Sequence, residues 1–137
     1  MENKSFESIK RQLENFTFVE SFDMIIAVAN GGIIPAALIN QKLGIEFQLL
    51  KLHFRDSHQV PEFPEPILME PLNYEVKGKT ILLVEDRIKT GASIQKACKL
   101  LMDSGAGVIK TFAVNGQADY CLFNETCFRF PWILNAH

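Results

Sequence analysis

One α/β domain, with helices on both faces of a mainly parallel sheet, is what these 137 residues predict. Three observations carry that expectation. Apolar runs of strand length alternate with helical stretches. Two of those runs end in short glycine or hydroxyl turns that open a helix. No linker, repeat or break in composition divides the chain, so residues 1–137 read as a single domain. Such alternation implies right-handed crossovers, and open sheets of this kind bind ligands beyond the carboxyl ends of their strands.

Phe6, Ile9, Leu13 and Phe16 recur at helical spacing with Lys and Glu between them, which predicts an amphipathic helix covering the domain. Met24 to Ala29 is a short apolar strand ending in Asn30-Gly31-Gly32, and Ile33 to Leu43 has helical composition with Gly44 as its stop. Ile45 to Phe54 reads as a second strand. Arg55 to Pro66 holds three prolines and His58 outside any apolar period, which predicts a loop, and a loop of that length in a small domain is often functional. Ile81 to Val84 suits a strand buried on both faces. Glu85-Asp86 follows it, then a helix from about Gly91 to Ser104 that ends at Gly105 and Gly107. Val108 to Val114 and Ala118 to Phe123 read as further strands, and Phe128 to Leu134 as an aromatic terminal segment.

Bulk properties narrow the partners. A net charge of -2 and a pI near 5.9 supply no basic field for nucleic acid or an anionic membrane, so neither is expected as a partner and any phosphate must be held locally. Met1 to Lys10 is charged where a secretory leader would be apolar, and no stretch is long enough to cross a bilayer. Cys98, Cys121 and Cys127 form no paired or metal-binding spacing, which suits a reducing, cytoplasmic setting. His53, His58 and Glu62 match no recognised zinc spacing.

The chemistry concentrates in Val84-Glu85-Asp86-Arg87-Ile88-Lys89-Thr90-Gly91-Ala92-Ser93. A strand-to-helix turn leaves backbone N–H groups unpaired where the helix dipole also favours an anion, so Lys89 to Ser93 can cradle a phosphate monoester. Thr90 and Ser93 add hydroxyl donors, Gly91 permits close approach, and Lys89 adds a cation. Carboxylates beside that cradle would repel the phosphate unless they accept hydrogen bonds from sugar hydroxyls or face a divalent cation. The plainer alternative is that Glu85-Asp86 caps the following helix while Thr90 and Ser93 sit in an ordinary turn.

This stretch resembles the phosphoribosyl pyrophosphate signature of type I phosphoribosyltransferases, in which an acidic pair follows an apolar strand and a Thr-Gly-x-Ser/Thr loop follows three residues later. Val28-Ala29-Asn30-Gly31-Gly32 is similar to that family's pyrophosphate loop, with Asn30 where a cation is usual. Ala118-Asp119-Tyr120 and Phe130-Pro131-Trp132 are similar to the end of the six-oxopurine enzymes. The resemblance runs from about Met24 to Trp132 and implies a single-domain, Rossmann-like type I phosphoribosyltransferase fold.

The resemblance also implies roles. Glu85 and Asp86 would hold the ribose hydroxyls and, with Mg²⁺ as cofactor, the metal, and together with Lys89 they would form the catalytic set. Arg87, Ile88, Lys89, Thr90, Gly91, Ala92 and Ser93 would hold the 5-phosphate, and Asn30, Gly31 and Gly32 the pyrophosphate. Three base-reading positions differ from the six-oxopurine pattern. Lys89 replaces an aspartate, Val114 or Asn115 a lysine, and Cys127 an aromatic, so Val114, Asn115, Cys127 and Phe128 are the candidate base pocket. General burial preferences place Trp132 in the core. The Arg55 to Pro66 loop occupies the place of the family's mobile hood. The implied activity is transfer of phosphoribosyl from phosphoribosyl pyrophosphate (PRPP) to a nucleobase-like nitrogen acceptor in nucleotide salvage, by a homodimer. The alternative is a non-catalytic regulator that binds PRPP or a nucleotide in the same pocket.

Overall fold

The computed structural model describes residues 2–53 and 67–134. Among them the chain runs β1 (Glu2–Asn3), α1 (Phe6–Glu14), β2 (Met24–Ala29), α2 (Ile33–Leu43), β3 (Glu46–His53), β4 (Ile67–Leu68), β5 (Thr80–Arg87), α3 (Ala92–Asp103), β6 (Val108–Asn115), β7 (Tyr120–Phe123) and β8 (Phe128–Arg129). The Arg55 to Pro66 loop, with His58 and Glu62, lies outside the described residues, as does the side chain of His53.

Six strands form one sheet in the order β4-β3-β2-β5-β6-β7, and every neighbouring pair is parallel except β3 with β4. β2 and the Ile81 to Val84 stretch of β5 are unbroken apolar runs because both faces are covered. Ile25 and Ala27 of β2, with Leu82 and Val84 of β5, join Ile9 and Leu13 of α1 and Ala36 and Ile39 of α2 in one core. The alternate residues Met24, Ile26, Ile81 and Leu83 pack on the other face against Ile94, Ala97 and Leu101 of α3. Phe6, expected with the buried row of α1, is instead 45% exposed. The Lys42 ammonium on α2 donates to the last carbonyls of α1, at 2.8 Å from Leu13 and 3.4 Å from Glu14, and also to the Phe16 carbonyl.

Two features depart from the expected outline. The terminal aromatic segment begins with a short strand, β8, which pairs in parallel with β1 in a separate two-stranded sheet. The link from β6 to its parallel neighbour β7 is only residues 116–119, with no helix. Parallel neighbours ordinarily need a longer crossover. Here Gly116 turns the chain back at φ 134°, a region that favours glycine. The Asp119 carboxylate then accepts from the Thr111 N–H at 2.8 Å and from its hydroxyl at 3.1 Å.

The strand order reverses between β2 and β5, because the chain leaves β2 for β3 on one side and later returns to β5 on the other. The β2–β5 ladder runs from Met24↔Ile81 to Ala27↔Val84 and stops. Beyond it, β2 follows β3 as far as Ala29↔Lys51, and β5 follows β6 as far as Arg87↔Asn115. The carboxyl ends of the two central strands therefore fork.

Candidate active site

The fork brings together two turns that lie far apart in sequence. An ideal Cβ built on Gly31 would stand 2.6 to 2.8 Å from the Asp86 carboxylate, and one on Gly32 would stand 2.2 Å from the Val84 carbonyl oxygen. At Gly32 the obstacle is strand backbone, whereas at Gly31 it is the end of a side chain that would have to move. Asn30-Gly31-Gly32 thus lies directly against the acidic pair, and the peptide before Asn30 is cis. The Gly32 N–H is spent on the Val28 carbonyl at 2.8 Å. The amides of Asn30 and Gly31 meet no acceptor among the described residues.

Glu85 and Asp86 are both partly buried at the end of β5. The Glu85 carboxylate accepts from the Asp86 N–H at 3.0 Å, and the Asp86 carboxylate from the Arg87 N–H at 2.6 Å. Burial pushes the Glu85 carboxyl well above its ordinary range, and the neighbouring Asp86 charge adds to the rise. Burial also raises Asp86, against opposition from the Glu85 side chain, the Arg87 N–H, the Trp132 indole and the Arg87 charge.

The hydroxyl turn follows. Gly91 caps α3 at φ 84°, a left-handed conformation suited to glycine, and has no side chain of its own to cap with. The Ala92 N–H donates to the Thr90 hydroxyl at 3.3 Å. The amides of Lys89, Thr90, Gly91, Ser93 and Ile94 find no acceptor among the described residues. Lys89 and Thr90 are exposed. Behind the turn, the Ile88 N–H donates to the Asn115 carbonyl at 3.0 Å, and Gly116 backs Ile88 so closely that a Cβ would meet its carbonyl at 2.5 Å. This supporting role of Gly116 has no signal in the sequence beyond the Asn-Gly pair itself.

Other expected site residues are placed differently. Arg87, anticipated in the phosphate turn, is the last residue of β5, and its guanidinium donates to the Phe128 carbonyl at 2.7 Å and lies 5.2 Å from the Phe130 ring centre. Of the anticipated base pocket, Val114 and Phe128 are buried core residues and Cys127 is exposed. The buried Asn115 uses its side-chain amide on the backbone of Glu125, donating at 3.3 Å and accepting at 3.1 Å. Those contacts use one donor and one acceptor of the side chain that was expected at a base edge. Trp132, expected in the core, is only partly buried. It stacks on Phe130 with ring centres 5.0 Å apart and planes 5° apart.

Glu85 and Asp86 contribute two carboxylates, and no cluster of three metal-ligating side chains occurs among the described residues. That donor set fits Mg²⁺ carried in on substrate oxygens, which needs only one or two protein carboxylates. No helix among the described residues is long and apolar enough to cross a membrane.

Comparison with known proteins agrees with this geometry. Residues 4–129 match the family described as phosphoribosyl transferase domain. Ribose-phosphate pyrophosphokinase of Pyrococcus furiosus is 33% identical over 93 residues, covering 68% of this chain but 31% of that protein. A chloroplastic amidophosphoribosyltransferase of Glycine max is 28% identical over 92 residues, 61% of this chain and 16% of its own length. The chain thus spans a third or less of these curated relatives. Among solved structures, a purine phosphoribosyltransferase from Pyrococcus horikoshii superposes with a TM-score of 0.79 at 22% identity, over 98% of this chain and 95% of its own. A hypothetical protein from Neisseria gonorrhoeae with bound ppGpp superposes with a TM-score of 0.76 at 18% identity, over 96% and 90%. At these identities the structural likeness speaks for the fold.

Proposed function

The chain belongs to the phosphoribosyl transferase domain family, and from that premise we propose that it transfers the phosphoribosyl group of PRPP to a nitrogen acceptor of the nucleobase class, releasing pyrophosphate. The observation that carries the reading is the set of unpaired amides of Lys89, Thr90, Gly91, Ser93 and Ile94 beside the Glu85-Asp86 pair, with Gly31 packed against Asp86.

Each part has a task. The free amides at the start of α3, with the Thr90 and Ser93 hydroxyls, hold the 5-phosphate. Lys89, exposed at the tip of the turn, offsets its charge. Glu85 and Asp86 accept hydrogen bonds from the ribose hydroxyls, which fixes C1 over the fork. The amides of Asn30 and Gly31 face the departing pyrophosphate, while Gly32 stays in the fold through Val28. Mg²⁺, held by Glu85 and Asp86 together with substrate oxygens, would neutralise charge on the leaving group. Orientation and fixed dipoles then supply most of the rate enhancement as positive charge develops at C1.

Thermal melts with PRPP and Mg²⁺ test the binding half, since a specific ligand raises the melting temperature through linkage. Pyrophosphate release with a panel of purines and pyrimidines tests the transfer half. A second reading is a regulator that binds PRPP or a nucleotide without transfer. It is favoured by Lys89 directly before Thr90 and by the ppGpp bound to a neighbour of the same fold. Binding without pyrophosphate release from any base would select it.

A further inference from the structure

Asn115, spent on backbone rather than free to read a base, holds two parts of the site together. It is 3% exposed and is the one buried polar side chain among the described residues. It ends β6, in register with Arg87 of β5 on one side and Phe123 of β7 on the other. Its backbone carbonyl accepts from the Ile88 N–H at the entry to the phosphate turn. Its side chain donates to the Glu125 carbonyl at 3.3 Å and accepts from the Glu125 N–H at 3.1 Å. A buried amide bonded in both directions to one backbone residue specifies a single arrangement of the segment it holds.

That segment is residues 124–127. It leaves β7 at the carboxyl end of the sheet and returns as β8, where the Phe128 carbonyl accepts from the guanidinium of Arg87, the residue after Asp86. The segment therefore arches past the end of β6. Its base is pinched shut, with Phe123 and Phe128 edge to face at 5.4 Å between ring centres. The Lys4 ammonium lies 4.5 and 5.2 Å from those rings and 3.0 Å from the Glu125 carboxylate. All four residues of the arch are exposed, so it offers polar side chains on a backbone fixed from beneath.

On the function proposed above, C1 lies over the fork and the pyrophosphate departs on the β2 side, at Asn30 and Gly31. A nucleophile approaches C1 opposite the leaving group, which puts the acceptor on the β6 side, toward the arch. We propose that Asn115 is a positioning residue for the acceptor, fixing residues 124–127 as the wall against which a nucleobase-class acceptor lies. The inference rests on the sugar-phosphate reading above.

The test titrates ribose 5-phosphate and the 5′-monophosphates of adenosine, guanosine, inosine and uridine calorimetrically into the wild-type chain and Asn115→Ala. These probes share the sugar phosphate, so any gain in affinity over ribose 5-phosphate reports the base. The variant keeps the backbone carbonyl that holds Ile88 and loses only the grip on Glu125. The wild-type chain should bind at least one nucleotide more tightly than ribose 5-phosphate. Loss of the two hydrogen bonds should cut that gain about tenfold and leave ribose 5-phosphate binding unchanged. A variant that keeps the gain overturns the inference. Equal weakening toward ribose 5-phosphate and the nucleotides also overturns it, being the signature of general loosening. A wild-type chain that binds ribose 5-phosphate but gains nothing from any base overturns the inference and leaves the sugar-phosphate reading standing. Failure of the wild-type chain to bind ribose 5-phosphate overturns that reading itself.

Should Asn115→Ala fail to fold, amide exchange in the wild-type chain decides. The Glu125 N–H should exchange more slowly in protein saturated with the tightest-binding nucleotide than in protein saturated with ribose 5-phosphate, because a base against the arch suppresses its opening. Identical Glu125 exchange in the two complexes overturns the proposal.

Discussion

Exchanging Gly31 and Gly32 separately for alanine separates the fold from the site at adjacent positions. At Gly32 the added carbon would lie 2.2 Å from the Val84 carbonyl oxygen and 2.8 Å from that of Val28, both strand backbone in the middle of the sheet. To reach ordinary contact, the ends of β2 and β5 must part by about an ångström, an overpacking strain that typically costs about 1–3 kcal/mol. For a domain of this size that is a fall in melting temperature of about 4–12 °C. At Gly31 the same carbon meets the Asp86 carboxylate at 2.6 to 2.8 Å, the far end of a side chain that can swing aside. Gly31→Ala should therefore melt within about 2 °C of wild type, a shift worth well under 1 kcal/mol. It should nonetheless bind ribose 5-phosphate at least about tenfold more weakly, through the displaced carboxylate. Scanning calorimetry and isothermal titration on the three proteins decide the matter. If Gly32→Ala melts with the wild type, or Gly31→Ala binds as the wild type does, the packing of this loop against the acids is not what the geometry says.

Asp86→Asn should weaken ribose 5-phosphate binding about tenfold to a hundredfold in titrations. It should also raise the melting temperature of the ligand-free protein at pH 7, because a carboxyl whose folded pKa is raised costs stability once it is ionised. Lys42→Met removes the cation gripping the carbonyl end of α1 and should cost about 1–2 kcal/mol in urea unfolding without altering ligand affinity. Burial raises the Tyr74 hydroxyl to about 12. Its contribution to stability is therefore complete below its unfolded value near 10 and lost as pH rises through 12, so Tyr74→Phe should flatten the alkaline fall in urea-melt midpoints over that window. Gly116→Ala drives a carbon into Ile88 at a positive φ and should weaken inorganic phosphate binding along with stability, measured on the same samples.

The central strands were legible because burial on both faces makes their sequences unbroken apolar runs, and Gly44 and Gly105 mark where helices stop. β1 and β4, two residues each, carry no period to read. The four-residue return from β6 to β7 contradicts the ordinary length rule, and only the backbone angle of Gly116 explains it. At the site, the strand-to-helix turn from Lys89 to Ser93 could be anticipated as a turn because its parts are local. The surroundings of Arg87 and of the expected base-side residues could not. Strand alternation turns Val114 inward, while Asn115 and Arg87 are engaged by partners ten and forty-one residues away. A linear reading ranks a polar or basic residue as available, and long-range hydrogen bonds decide whether it is.

The fork between β2 and β5 has one more consequence. Its two prongs are rooted in strands locked from both sides, whereas β7 and β8 sit at the sheet's margin and in a two-stranded offshoot. Substitutions at the exposed positions of that periphery leave the central scaffold in place. On the function proposed above, natural variation there can rework which acceptor is taken while the two turns at the fork stay as they are.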